Sequence, residues 1–169
     1  MRTLIIGGIE VPLRSSHTLE QTYSPIQSTS KRRMSDGALS VQTAWSGKIL
    51  TEINGSGQFP AGLQSLDYSG NLVVKCIAER TITSASNVID VPAKRRSDYG
   101  VEGRALVGSA WQSTPVTMST DEATLTAVAD ATAYQALYWP ELTCSFDPPE
   151  ESNRVRGTGN TWSLRGEEV

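Results

Sequence analysis

Two runs, Ala38-Leu39-Ser40-Val41-Gln42-Thr43-Ala44-Trp45 and Lys48-Ile49-Leu50-Thr51-Glu52-Ile53, parted by Ser46-Gly47, decide the fold class. In the first, Leu39, Val41 and Thr43 alternate with Ser40, Gln42 and Ala44; in the second, Ile49, Thr51 and Ile53 alternate with Leu50 and Glu52. A period of two places successive side chains on opposite faces of an extended chain, so both runs predict strands. Ser46-Gly47 between them predicts the turn of an antiparallel pair. Upstream, Ser35-Asp36-Gly37 predicts another turn, because Asp bonds its own backbone and Gly accepts positive φ. Downstream, Asn54 to Gly62 contains Gly55, Gly57, Gly62 and Pro60, and predicts a surface loop.

The same pattern recurs along the chain. Leu4-Ile5-Ile6 and Ile9-Glu10-Val11 flank Gly7-Gly8 and predict a hairpin. His17 to Tyr23 alternates as a half-exposed strand that Pro25 is expected to interrupt. Leu72-Val73-Val74-Lys75-Cys76-Ile77 predicts a core strand, with shorter strands at Thr81-Ile82-Thr83 and Val88-Ile89-Asp90-Val91, the latter ended by Pro92. Between Ser119 and Trp139, Thr120-Asp121-Glu122 suits a helix cap, yet Thr124 to Val128 alternates and the surroundings are β-like, so strands are expected. Asp147 to Asn160 predicts a polar loop, and Thr161 to Val169 a terminal strand with Trp162 and Leu164 on one side. The expectation is a mainly β protein, an antiparallel β-sandwich or barrel-like domain with long loops. It is read as a single β-rich structural domain over residues 1–169, with the option of two fused β-modules divided near residues 92–94.

Composition narrows the function. The chain has 169 residues, 38% hydrophobic and 20% charged, with a formal net charge of −3. That is enough apolar content for a folded domain, and the charge gives no general attraction to nucleic acid or to an anionic membrane. The longest apolar runs are a few residues, against about 20 for a spanning helix, so membrane insertion is not expected. Nor is a Sec-type export signal, since Glu10 and Pro12 arrive before an apolar core can form. Cys76 and Cys144 are too few for a disulfide scaffold and read as buried thiols. The lone His17 has no visible nucleophile or acid partner, and the Gly55-Gly57-Gly62 spacing matches neither a phosphate-binding nor a dinucleotide-binding loop. No catalytic, cofactor-binding or metal-binding residue is assigned, and the chain is not expected to be an enzyme.

Two basic clusters stand out, Lys31-Arg32-Arg33 and Lys94-Arg95-Arg96, each followed by an aspartate (Asp36, Asp98) and later by a tryptophan (Trp45, Trp111). The repetition raises the idea of an ancient duplication. Each cluster reads either as a solvated turn or as a contact with an acidic surface of a neighbouring subunit. The four tryptophans read first as core, but aromatic enrichment at interfaces makes Trp162 a candidate contact as well. Candidate interface residues are therefore Lys31, Arg32, Arg33, Lys94, Arg95, Arg96 and Trp162.

Several pieces together resemble tail-tip structural proteins of tailed bacteriophages, of the distal-tail or baseplate kind. They are the N-terminal Ile-Gly-Gly-Ile-Glu-Val-Pro hairpin, Arg32-Arg33-Met34-Ser35-Asp36-Gly37, Trp45-Ser46-Gly47-Lys48-Ile49 with Thr51 to Gly57, Tyr138-Trp139-Pro140, and Trp162-Ser163-Leu164 through Glu168. The resemblance implies a virion tail protein, made in the host cytoplasm, that forms a ring of like copies between the tail tube and hub, tip or fibre proteins. It brings no catalytic residue and no cofactor. The other readings are a module binding cell-surface carbohydrate or protein through the Asn54–Gly62 and Asp147–Asn160 loops, and a small envelope hydrolase using scattered carboxylates that meet in space.

Overall fold

The computed structural model describes residues 2–153 and 159–169. Its strands, in chain order, are β1 (Ile5–Ile6), β2 (Ile9–Glu10), β3 (Thr18–Arg33), β4 (Leu39–Gly57), β5 (Asn71–Lys75), β6 (Arg80–Ser84), β7 (Val88–Asp90), β8 (Glu102–Val107), β9 (Ala110–Thr114), β10 (Val116–Ser119), β11 (Glu122–Leu125), β12 (Ala131–Tyr138), β13 (Glu141–Phe146), β14 (Glu150–Ser152) and β15 (Asn160–Glu168). Among the described residues there is no α-helix, only short 3-10 turns at Leu13–Ser15 and Leu63–Ser65. The mainly β expectation holds, including two strands, β11 and β12, in the Ser119–Trp139 stretch where a helix is the alternative.

The chain forms two compact units, one from Met1–Ile5 and Val74–Leu142, the other from Ile6–Val73 and Thr143–Val169. Residues 92–94 lie inside the first unit.

The first unit contains a three-stranded sheet, β10-β11-β7, and a four-stranded sheet, β6-β12-β8-β9. Their inner faces supply one core: Ile89, Ala123 and Leu125 from the first sheet, Ala105, Tyr134, Ala136 and Tyr138 from the second. Gly103 lets the sheets approach closely, since a Cβ there would lie 2.5 Å from Val116 Cγ2.

The second unit holds the bulk of an eight-stranded sheet of order β2-β1-β5-β13-β15-β4-β3, with β14 also paired to β15. The N-terminal hairpin forms as expected, with Gly7 and Gly8 both at positive φ. On the inner face Ile53, Trp162 and Leu164 are buried. The Trp162 ring lies over Gly55, where a Cβ would come within 2.4 Å of it.

Three local expectations need correction. Pro25 does not end its strand: β3 runs through it to Arg33, with Pro25 opposite Ile49. A proline is tolerated there because β3 is the outermost strand, and no further neighbour loses a bond to the missing N–H. Ser46-Gly47 is not a turn between two paired strands. The runs on either side are one strand, β4, both pairing with β3, and the register skips from Ile26–Lys48 to Ser28–Trp45. Ser46 and Gly47 therefore face the single residue Gln27 as a bulge, with Gly47 at φ 82°. Finally, Asn54 to Gly57 belong to β4 and pair with β15, so the glycine-rich loop begins only at Gln58.

The suggested duplication does not extend to the structure. Ser35 sits in the hairpin turn joining β3 to β4 within one sheet, whereas Ser97 lies between β7 and β8, which belong to different sheets.

Candidate functional site

The feature that separates this molecule from a plain sheet protein is the far end of the β3–β4 hairpin. β15 pairs with β4 from Gly57 to Leu50 and no further. Beyond Leu50, β4 has only β3 beside it, out to the Arg33–Leu39 pair, so nine residues at about 3.3 Å each give an arm roughly 30 Å long. From Ser24 to Gly47 not one residue is buried.

The arm closes at Ser35-Asp36-Gly37, as its sequence predicts. Gly37 has φ 82°, the Asp36 carboxylate accepts from the Ala38 N–H at 2.9 Å, and Arg33 Nη1 donates to the Gly37 carbonyl at 3.0 Å. At its root Lys48 Nζ donates to the Val169 carbonyl at 2.8 Å. Toward the tip, Arg33 opposes Leu39, Lys31 opposes Val41 and Thr29 opposes Thr43, so one face alternates cationic and apolar side chains. Arg32 opposes Ser40 and Ser30 opposes Gln42 on the other face.

Met34, Leu39, Val41 and Trp45 are 58%, 55%, 50% and 49% exposed, a concentration of large apolar surface on one ribbon. Scattered single hydrophobes on a surface need no explanation, but several gathered on a projecting element mark a contact. An isolated two-stranded hairpin is marginal in water. The arm carries Lys31, Arg32, Arg33 and Lys48 against one acid, Asp36.

The exposed face of the same unit's sheet is of different chemistry. The ladder aligns Glu20, Asn54, Ser163 and Glu150 in one row across β3, β4, β15 and β14. A parallel row holds Thr18, Ser56, Thr161 and Ser152. These residues line a shallow hollow of about 560 Å³. A neighbouring hollow of about 370 Å³ adds Glu52, Asp147 and Arg165, with Arg165 Nε 3.9 Å from Glu52. Glu20 and Glu150 sit on strands three spacings apart, about 14 Å between their backbones.

The two basic triplets have separate fates. Lys31, Arg32 and Arg33 are all exposed on the arm, and none is in an ion pair among the described residues. In the other triplet only Lys94 is exposed. Arg95 Nη1 donates to the Pro92 carbonyl at 2.7 Å and the Asp121 carboxylate at 2.8 Å, and Nη2 to the Thr120 carbonyl at 2.6 Å. Arg96 is buried. Its Nη1 donates to the carbonyls of Thr3, Lys75 and Cys76 at 2.6, 3.2 and 3.0 Å, while Nε and Nη2 form a fork on Asp98 at 3.0 and 2.7 Å. The Tyr99 ring lies 4.1 Å from its guanidinium carbon. Hydrogen bonding from Arg96 lowers the Asp98 carboxyl to about 2. Arg95 and Arg96 thus act as clamps within the first unit, and their pairing with its own backbone leaves Lys94 as the part of that triplet on the surface.

Trp162 is 3% exposed and donates its indole N–H to the Ser15 carbonyl at 2.9 Å, so it is a core anchor of the second unit and offers no side-chain surface to a partner. Cys76 and Cys144 are buried thiols. His17 is exposed and lines a small hollow with Ser56, Gly57, Gln58 and Gly159. Of the two loops suggested as a binding site, Asn54–Gly57 is strand, and residues 154–158 lie outside the described residues. Among the described residues no group of three or more His, Cys, Asp or Glu side chains is placed to hold a metal ion, and no helix is long and apolar enough to cross a membrane. The exposed Met34, Leu39 and Val41 were not marked by sequence, because a period-two pattern announces one dry face and here both faces are wet. No known protein family and no curated protein matches this chain.

Proposed function

We propose that this protein is a structural subunit of a phage tail tip that works by associating with copies of itself, building a ring in the virion tail between the tail tube and the tip or fibre proteins. The tail setting rests on the resemblance described above; the self-association rests on the arm. A two-stranded ribbon about 30 Å long, with no buried residue from Ser24 to Gly47 and four large apolar side chains in solvent, gains order and loses wet apolar surface when a partner covers it. Its mechanism is geometric: a repeated contact sets the symmetry of the assembly, and no bond is made or broken.

Shortening the arm tests the reading. Residues 27–47 are replaced by Asn-Gly, so that the paired residues Ile26 and Lys48 are joined by a two-residue turn of the kind that closes hairpins. Light scattering behind size-exclusion chromatography is expected to show the full chain as an oligomer and the shortened chain as a monomer. The shortened chain is expected to keep a β-type far-ultraviolet circular dichroism spectrum and a cooperative thermal transition, since no buried side chain is removed. A full chain that is monomeric at every concentration, or a shortened chain that assembles equally well, contradicts the proposal.

A further inference from the structure

We infer that the arm of one copy lies across the Glu20–Asn54–Ser163–Glu150 face of a second copy, with Lys31 and Arg33 set against Glu20 and Glu150, so that the contact is head-to-tail. The inference rests on the self-association proposed above and names the surface that receives the arm.

Charge is the first argument. Lys31 and Arg33 project from the same face of the ribbon, and no ion pair engages either among the described residues. The hollow lined by Glu20 and Glu150 carries no lysine or arginine among its lining residues. A cationic ribbon and an acidic sheet face in one chain are complementary surfaces that steer association and fix its register.

Distance is the second. Lys31 and Glu20 both belong to β3, eleven residues apart along a continuous strand, which is about 36 Å. The ladder with β4 holds the strand extended, so the arm does not fold back onto its own acidic row. The complementary surfaces of one chain meet only between copies. The hollow is shallow and bordered by Thr18, Ser56, Thr161 and Ser152, whose hydroxyls can bond the polar parts of a ribbon laid over them. Because the arm and the face are different patches, the contact is heterologous and repeats from copy to copy, closing into a ring or continuing as a filament.

A complementation experiment tests this. One variant reverses the arm (Lys31→Glu with Arg33→Glu) and another reverses the face (Glu20→Lys with Glu150→Lys). Each alone is expected to associate at least about tenfold more weakly than the unaltered chain, as like charges now meet. Mixed in equal amounts, the two variants assemble with each other in alternation, because the unaltered arm meets the unaltered face and the reversed arm meets the reversed face, opposite charges at both contacts. Assembly of the mixture also shows that both variants are folded. All four changes in one chain restore assembly. If the unaltered chain assembles while the arm-reversed or face-reversed chain assembles equally well, or while the mixture stays monomeric, the head-to-tail contact is wrong and self-association stands. An unaltered chain that never assembles removes both.

Discussion

Replacing Arg96 with methionine is expected to lower the stability of the first unit by about 2–5 kcal/mol, chiefly the cost of leaving the carbonyls that this buried guanidinium serves without a donor. Three backbone carbonyls, those of Thr3, Lys75 and Cys76, lose their donor together. Each buried acceptor left without a partner costs about 1–3 kcal/mol, which methionine packing only partly offsets. Lysine in its place recovers part of the loss, since a compact ammonium has no planar fork to hold Asp98 while reaching the carbonyls. Denaturant titration followed by circular dichroism measures the loss; a change under about 1 kcal/mol contradicts the role assigned to Arg96.

The same pair has a pH signature. The Asp98 carboxyl is held at about 2 by hydrogen bonding from Arg96, below its ordinary value near 3.9. A depressed folded-state value stabilises above the ordinary carboxylate range, and that contribution is lost as pH falls from about 4 toward 2. Asp98 is partly solvent-exposed, so the effect is moderate. Acid titration of the methionine variant is expected to lack this component.

The second large effect is at Trp162. Truncation to alanine is expected to cost about 3–5 kcal/mol in the second unit, the range for removing a buried aromatic side chain. Gly55 on β4 presents bare backbone to the indole, so alanine at 162 leaves a void over it, and the Ser15 carbonyl loses its indole donor. Phenylalanine keeps much of the ring but not the N–H and is expected to lose about 1–2 kcal/mol beyond its smaller volume. Equal stability of the alanine variant and the unaltered chain would show that Trp162 does not anchor β15.

Trp162 also shows where sequence reading succeeds. Alternation from Thr161 onward predicts a terminal strand with Trp162 and Leu164 on one side, and both are buried, while the expectation that Trp162 is also a contact residue is overturned by that burial. Asp36-Gly37 predicts its turn for the same kind of reason: the chemistry lies in adjacent residues. The failures are equally local in origin. Pro25 breaks a central strand but not an outermost one, and a strand's place in the sheet is not written beside the proline. Ser46-Gly47 makes a bulge rather than a turn because Gln27, on the facing strand, takes up the extra length.

The candidate site was half legible. Lys31, Arg32 and Arg33 are on the exposed arm, as a charge run suggests, while Arg96, in a matching triplet, is buried because the carbonyls of Thr3, Lys75 and Cys76 converge on it from distant parts of the chain, opposite its near neighbour Asp98. Nothing in Lys94-Arg95-Arg96 itself announces that convergence. The acidic row is likewise invisible in sequence, since Glu20 and Glu150 come onto one row of the same face only through the pairing of four strands.

Amide hydrogen exchange across residues 26–47, followed from dilute to concentrated protein, addresses the arm's role most directly. Exposed ribbon hydrogen bonds open easily when nothing covers them. These amides are therefore predicted to exchange fast in dilute solution and to become protected as concentration rises, ahead of the rest of the second unit. Exchange that stays fast in the arm while oligomers form, with protection appearing elsewhere, would contradict assembly through it.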